Sequence, residues 1–193
     1  MKLSTLFLLA VFTIALPAHA WKPLITGEMG FSSGGADLPA DDTGDFTVES
    51  SSTIYLLGGL AFRSESGYVV KSRIGWRYGK EEYEYYSSGA KAGFIRSKEF
   101  PIDLMVGKQF GKHALNVGVN KQLSTSTLCE IGSRCNDRTN YSTPISPAVE
   151  YQYFTSDYGY LTLRLTPGIE YTSERTDETY SGFLVEVGVG GMR

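Results

Sequence analysis

The chain has 193 residues, with 22 Gly, 13 Tyr and 10 Phe against two His, and a formal net charge of −3. That balance leaves no basic footprint for nucleic acid or for an anionic membrane surface. Glycine- and aromatic-rich usage of this kind favours strands, and the length suits one domain with no internal repeat or low-complexity linker.

Residues 1–20 begin at a basic Lys2, continue through an apolar run from Leu6 to Leu16, and end on Ala18-His19-Ala20. This is the three-part layout of a cleavable secretory signal peptide, with cleavage expected after Ala20. The run is shorter than the ~18 residues an anchoring helix needs. No cysteine lies near the cut, which argues against lipid attachment. The remaining domain, 21–193, has 193 − 20 = 173 residues, and no stretch in it is long and apolar enough to span a bilayer as a helix.

Eight segments of alternating polarity follow, at roughly 22–34, 49–62, 68–79, 92–110, 113–124, 147–156, 159–172 and 180–193. Successive strand side chains point to opposite faces. One parity is apolar: Ile25, Met29 and Phe31; Ile54, Leu56, Leu60 and Phe62; Val70, Ile74, Trp76 and Tyr78; Ile102, Leu104, Val106 and Phe110. It continues through Leu115, Val117 and Val119; Val149, Tyr151 and Tyr153; Leu161, Leu163, Leu165 and Ile169; and Phe183, Val185, Val187 and Val189. Aromatics gather at strand ends, among them Trp21, Tyr68, Tyr78 and Tyr171, as interfacial girdles require.

The other parity holds Glu28, Lys71, Arg73, Arg77, Asp103, Glu150, Arg164, Glu170 and Glu186, with Gln109, Asn116, Asn120 and Gln152. A soluble barrel with this face inside has no apolar core. In a membrane barrel these groups line a lumen only wide enough for its own side chains. They must then pair, because an isolated buried charge costs several kcal/mol. A lumen ion-pair network of four cations and five anions is therefore expected, rather than a substrate path. Glycines at 58, 59, 75, 107, 118, 168 and 188 suit curvature or close packing of neighbouring side chains.

Short connections at 63–67, 111–112 and 156–159 alternate with long ones at 35–48, 80–91, 125–146 and 173–179. That is the signature of an even-stranded up-and-down barrel with tight periplasmic turns and longer outer loops. The sequence thus reads as all-β: an eight-stranded antiparallel up-and-down transmembrane β-barrel preceded by a cleavable signal peptide. Cys129 and Cys135 fall in the longest outer loop, where an exported protein is expected to pair them in a disulfide.

The outer loops are mostly acidic: Asp37, Asp41, Asp42 and Asp45 in the first, Lys80-Glu81-Glu82-Tyr83-Glu84-Tyr85-Tyr86 in the second, Glu174, Asp177 and Glu178 in the fourth. They suit solvation, or a cation-bridged or tyrosine-rich surface contact. Beyond the leader the chain has one histidine, His113. Its neighbours are Lys112, Ala114 and Leu115, with no serine two residues on, and it sits at a periplasmic turn. No catalytic set, cofactor loop or metal-ligand cluster is expected.

Signal, strand number and loop alternation resemble the small outer-membrane barrels of Gram-negative bacteria, the Ail/OmpX group and the transmembrane domain of OmpA. The segment Phe100-Pro101-Ile102-Asp103-Leu104-Met105-Val106-Gly107-Lys108-Gln109-Phe110 is similar to a central strand of that group. The chain departs from the pattern by ending Gly190-Gly191-Met192-Arg193 rather than on an aromatic. The resemblance implies outer-membrane localisation by way of the periplasm and assembly by the barrel-assembly machinery. It also implies contact with outer-membrane lipid and lipopolysaccharide, and a monomer that takes no nucleic acid. The expected function is non-enzymatic, structural or surface-binding through four outer loops, with an unknown surface ligand. The alternatives are a narrow channel, a lipid A-modifying enzyme and a soluble periplasmic barrel of lipocalin type.

Overall fold

The structure, a computed structural model, describes residues 21–39, 47–49, 53–84, 91–131 and 135–193. The signal segment, and Asp41, Asp42, Asp45, Tyr85 and Tyr86 of the outer loops, lie outside the described residues.

The described chain forms β1 (Trp21–Gly35), β2 (Asp37–Pro39), β3 (Thr47–Glu49), β4 (Thr53–Ser64), β5 (Tyr68–Glu84) and β6 (Lys91–Phe110). It continues as β7 (His113–Ile131), β8 (Cys135–Ser142), β9 (Ser146–Phe154), β10 (Gly159–Ser173) and β11 (Thr179–Met192). Eight of these close a ring of antiparallel neighbours, β1–β4–β5–β6–β7–β9–β10–β11 and back to β1. Closure gives each of these eight strands a neighbour on both sides, the condition a sheet must meet in hydrocarbon. At the seam Ile25 N donates to Arg193 O at 2.7 Å and Arg193 N to Ile25 O at 2.9 Å. Two short turns are made by glycines in the left-handed region, Gly67 at φ 86° and Gly111 at φ 61°.

The polarity of the wall is inverted relative to a soluble protein. Ile25 and Phe31 are each 70% exposed, and Leu163 and Val187 also face outward, whereas Glu28, Arg73, Arg164 and Glu186 are buried. This excludes the lipocalin-type alternative, which would enclose Leu163 and Val187 as its core. It is the arrangement of a transmembrane barrel with a lipid-facing exterior.

Inward-facing glycines let bulky rings lie flat against the wall. A Cβ on Gly188 would come within 2.2 Å of the Tyr55 Oη, and one on Gly190 within 2.5 Å of the Tyr160 ring. Tyr55 and Tyr160 therefore occupy space that Gly30, Gly188 and Gly190 leave open.

The long-loop end departs from the expected boundaries. β5 continues to Glu84, so part of the second loop is barrel wall, and residues 37–39 and 47–49 of the first pair as β2–β3. The expected loop 125–146 is largely a hairpin extension: β7 runs on to Ile131 and pairs with β8, which then leads into β9. The reason lies in a bulge at Leu123–Ser124, where the step from Glu99 to Pro101 on β6 faces the step from Thr125 to Gln122 on β7. Beyond it the inward parity of β7 switches from even to odd, so Thr125, Thr127, Cys129 and Ile131 face inside. An extra residue inverts every later side chain, and this hid the strand in the sequence.

A second bulge overturns three expectations. Gly168 takes φ 62°, and the β10–β11 register shifts between Pro167 and Ile169. Beyond it Ile169 and Tyr171 are buried inside the barrel, at 1% and 0% exposure, and Glu170 is exposed on the outer wall. Glu170 is thus not a member of the lumen network. Ile169 is not lipid-facing, and Tyr171 belongs to the interior rather than to a girdle.

Candidate functional site: the barrel interior

Six of the eight ring strands deliver a charged side chain to the interior. Arg73 and Arg77 sit one strand turn apart on β5, opposite Asp103 and Glu99 of β6. Glu150 of β9, Arg164 of β10 and Glu186 of β11 lie side by side in cross-strand register. Glu28 comes from β1, and Lys71 from the short-turn side of β5. All are at or below 2% exposure.

Arg73 grips Asp103 with two parallel bonds, Nε to Oδ1 at 3.1 Å and Nη2 to Oδ2 at 3.0 Å. It also reaches Glu28 at 2.8 Å and Glu150 at 2.6 Å. Arg164 contacts Glu150 at 2.6 Å, Glu186 at 3.1 Å, Glu28 at 3.2 Å and Asp103 at 3.4 Å. Arg77 bridges Glu186 at 2.9 Å and Glu99 at 3.1 Å, and Lys71 pairs with Glu150. Planar guanidinium forks suit this shared recognition of several carboxylates, which a point-charge ammonium serves less well.

Neutral donors complete the shells. Tyr55 donates to Glu28 at 2.9 Å, Tyr171 to Glu99 at 3.2 Å and Asn116 to Glu150 at 3.1 Å. The network comprises Lys71, Arg73, Arg77 and Arg164 against Glu28, Glu99, Asp103, Glu150 and Glu186. Sequence reading missed Glu99. It shares the odd parity of Asp103 four residues on, and that parity was the signal that could have found it.

Apolar layers lie on both sides of the charges. Towards the short turns, Ala61, Ala114, Phe154, Tyr160 and Met192 cluster with Leu24, with the Phe154 and Tyr160 rings 5.6 Å apart. Towards the long loops, Ala36, Leu38, Ile95, Ile131, Tyr141, Ile169, Tyr171 and Leu184 pack around the Cys129–Cys135 disulfide. β2 lies across this end: Pro39 O accepts from the Tyr141 and Thr127 hydroxyls, and Leu38 is fully buried. Burial pushes the Tyr141 phenol up to about 12, which keeps it a donor across the whole ordinary pH range.

On the surface of this end Arg175, between β10 and β11, pairs with Asp137 on β8. The hydrogen bonds from Arg175 hold the Asp137 carboxyl below its ordinary value. The contribution of this pair is present above the unfolded carboxylate pKa of about 3.9 and is lost as pH falls through the lower folded value. The pair is solvent-exposed, so its effect is at most about 1 kcal/mol. Hydrogen exchange of residues 135–142 is expected to rise modestly between pH 5 and pH 2.5 in the wild type (about pH 5 to 2.5, the span that titrates a depressed carboxylate). An R175Q variant should already show the faster exchange at the upper pH. Equal profiles would remove the pair from any stabilising role.

His113 stands on the outer wall at the short-turn end, its Nδ1 2.7 Å from the Tyr151 hydroxyl and its ring 5.4 Å from that of Tyr153. Among the described residues no serine joins it, and no group of three or more His, Cys, Asp or Glu is arranged to hold a metal.

No family model and no curated protein matches the sequence. Among solved structures the chain is similar to Ail, the attachment invasion locus protein of Yersinia pestis, in a complex with the heparin analogue sucrose octasulfate. The TM-score is 0.56 at 6% identity, over 89% of this chain and 99% of that one. Neisserial surface protein A gives a TM-score of 0.47 at 6% identity over 90% and 98% of the two chains. The outer-membrane protease OmpT of Escherichia coli gives 0.37 at 9% over 89% and 96%. The chain has the fold of the small Ail-like outer-membrane barrels.

Proposed function

We propose that this chain is a non-enzymatic outer-membrane protein, exported by cleavage of residues 1–20 and inserted as a monomer by the barrel-assembly machinery. It acts as a surface-binding or structural barrel through its long-loop end, among lipopolysaccharide and lipid. One observation carries the reading: Arg73, Arg77 and Arg164 are almost wholly enclosed in shared ion pairs between two apolar layers. A path for solute would have to break those pairs, at several kcal/mol each. Interaction chemistry is therefore left to the outer segments, the usual seat of binding on a rigid scaffold.

The test is electrical. Purified protein refolded into planar bilayers is expected to leave the baseline current unchanged, with insertion verified by heat-modifiable migration on a denaturing gel. Steady open levels scaling with salt would overturn the closed interior and select the narrow channel.

A further inference from the structure

The interior charges do not sum to zero. Among the described residues, Lys71, Arg73, Arg77 and Arg164 face Glu28, Glu99, Asp103, Glu150 and Glu186, which leaves one carboxylate over. Lys22 and Arg63 do not make up the difference, since they line the short-turn mouth, beyond the apolar layer of Leu24 and Ala61. A buried charge without a counter-charge costs several kcal/mol. The interior therefore calls for one more positive charge than its side chains supply.

The surplus has an address. Glu28, Asp103, Glu150 and Glu186 each meet at least two of the cations within 3.4 Å. Among the described residues Glu99 meets Arg77 alone, at 3.1 Å, and Arg77 is shared with Glu186 at 2.9 Å. The Tyr171 hydroxyl donates to Glu99 Oε1 at 3.2 Å, which supplies a dipole but no charge.

Oxygens without partners surround the same carboxylate. Thr125 stands directly opposite Glu99 across the β6–β7 ladder, and Ser97 is the next inward residue of β6. Gln122 stands opposite Pro101, the next inward residue on the other side. Thr125, Ser97 and Gln122 are 1%, 0% and 3% exposed. Thr125 Oγ1, Ser97 Oγ and Gln122 Oε1 have no hydrogen-bond partner among the described residues. Nearby groups are already committed: Thr127, opposite Ser97, donates to Pro39 O, and Gln122 Nε2 donates to Asn120 Oδ1 at 3.0 Å. Cβ atoms directly opposite across a ladder lie about 4.5–5.5 Å apart, so one small ligand can touch Glu99 and Thr125 together.

Charge and oxygens together select the ligand. Water would join the oxygens but bring no charge. A proton on Glu99 would bring the charge but only one donor for three acceptors. An alkali cation brings both, being hard, oxygen-seeking and singly charged. With one carboxylate in the set, a multivalent metal is poorly served. The place is also closed off from the long-loop end, because Leu38, Ile95 and Tyr141 of the apolar layer lie over it.

We infer that the barrel encloses one monovalent alkali cation, held by the Glu99 carboxylate with Thr125 Oγ1, Ser97 Oγ and Gln122 Oε1 as neutral ligands. The ion is structural: it balances the interior charge and is taken up as the apolar layer closes over it. It opens no path through the lumen and takes no part in contacts of the loop tips.

Refolding the full barrel into uncharged detergent tests it, in sodium chloride or in tetramethylammonium chloride at the same ionic strength and pH. The bulky cation screens surface charge equally but is too large for the site. The apparent folding constant of the wild type, from urea titration, is expected to be at least about tenfold larger in sodium, the gain when the ion stands at about ten times its dissociation constant. Wild type refolded in radioactive sodium should also carry a single ion through gel filtration. E99Q, with its interior charges balanced, should fold equally well in both salts and carry none. S97A/T125V keeps the imbalance but loses two ligands, so its preference for sodium should fall below that of the wild type. Equal folding of the wild type in the two salts overturns the site and leaves the surplus to a proton. A sodium preference undiminished in E99Q overturns it too, because the ion then binds elsewhere.

Discussion

Replacing Arg164 by Met is expected to destabilise the barrel by about 3–5 kcal/mol, the cost of breaking a buried pair by removing one partner. Arg164 meets Glu28, Asp103, Glu150 and Glu186 within 3.4 Å, so no other cation serves as many carboxylates. Without it three cations face five carboxylates at near-zero exposure. The strain is electrostatic rather than steric, since Met fills much of the same volume. The double variant R164M/E150Q should therefore recover part of the loss, because it removes one uncompensated charge. Urea unfolding in lipid vesicles, followed by tryptophan fluorescence of Trp21 and Trp76, measures both. A single variant within about 0.5 kcal/mol of wild type, the range of neutral surface changes, would show that the charges are not held as described.

Inserting one alanine between Gly168 and Ile169 is expected to prevent folding of the barrel. Gly168 already takes up the one unpaired position, between Pro167 opposite Phe183 and Ile169 opposite Gly182, so a further residue turns Glu170 inward and Ile169 and Tyr171 outward. Glu99 then loses the Tyr171 hydroxyl at 3.2 Å, the outer apolar layer loses two of its members, and a carboxylate enters an interior already short of cations. Together these exceed about 4–5 kcal/mol, a large share of the stability of a domain of this size. G168A separates conformation from register. A Cβ there meets nothing within 4 Å, but φ 62° disfavours any non-glycine residue, so the loss should be only about 1 kcal/mol. The heat-modifiable fraction after refolding reads both. Deleting Gly168 leaves Ile169 and Tyr171 facing inward and should be tolerated, whereas an insertion variant that folds as well as G168A would mean that the parity of β10 is not fixed at this point.

These two positions also mark how far the sequence was legible. Where strands run without interruption, as in β4 and β9, period-two alternation identifies each face, and Arg73, Asp103, Glu150 and Glu186 could be grouped before any coordinates. It fails past a bulge, because one inserted residue reverses the meaning of every later position. Gly168 is one glycine among 22, and nothing local separates it from those that face large rings. The run Ser124-Thr125-Ser126-Thr127 offers no polarity contrast, so β7 beyond Leu123 reads as loop. The apolar layer around Cys129 and Cys135 is assembled from segments distant in the chain, and no single stretch announces it.

The two strands that meet to shut the ring are poor in side chains on their inner face: Gly30 lies opposite Gly188, and Glu28 opposite Gly190. Those edges can slide into register without interlocking, and only afterwards need Tyr55 and Tyr160 settle over the bare backbone. Glu28, which accepts from both hydroxyls at 2.9 and 3.3 Å, then fastens the rings in place. Zippering and latching are thus assigned to different residues, so that a Y55F or Y160F barrel would be expected to close at the normal rate and reopen sooner.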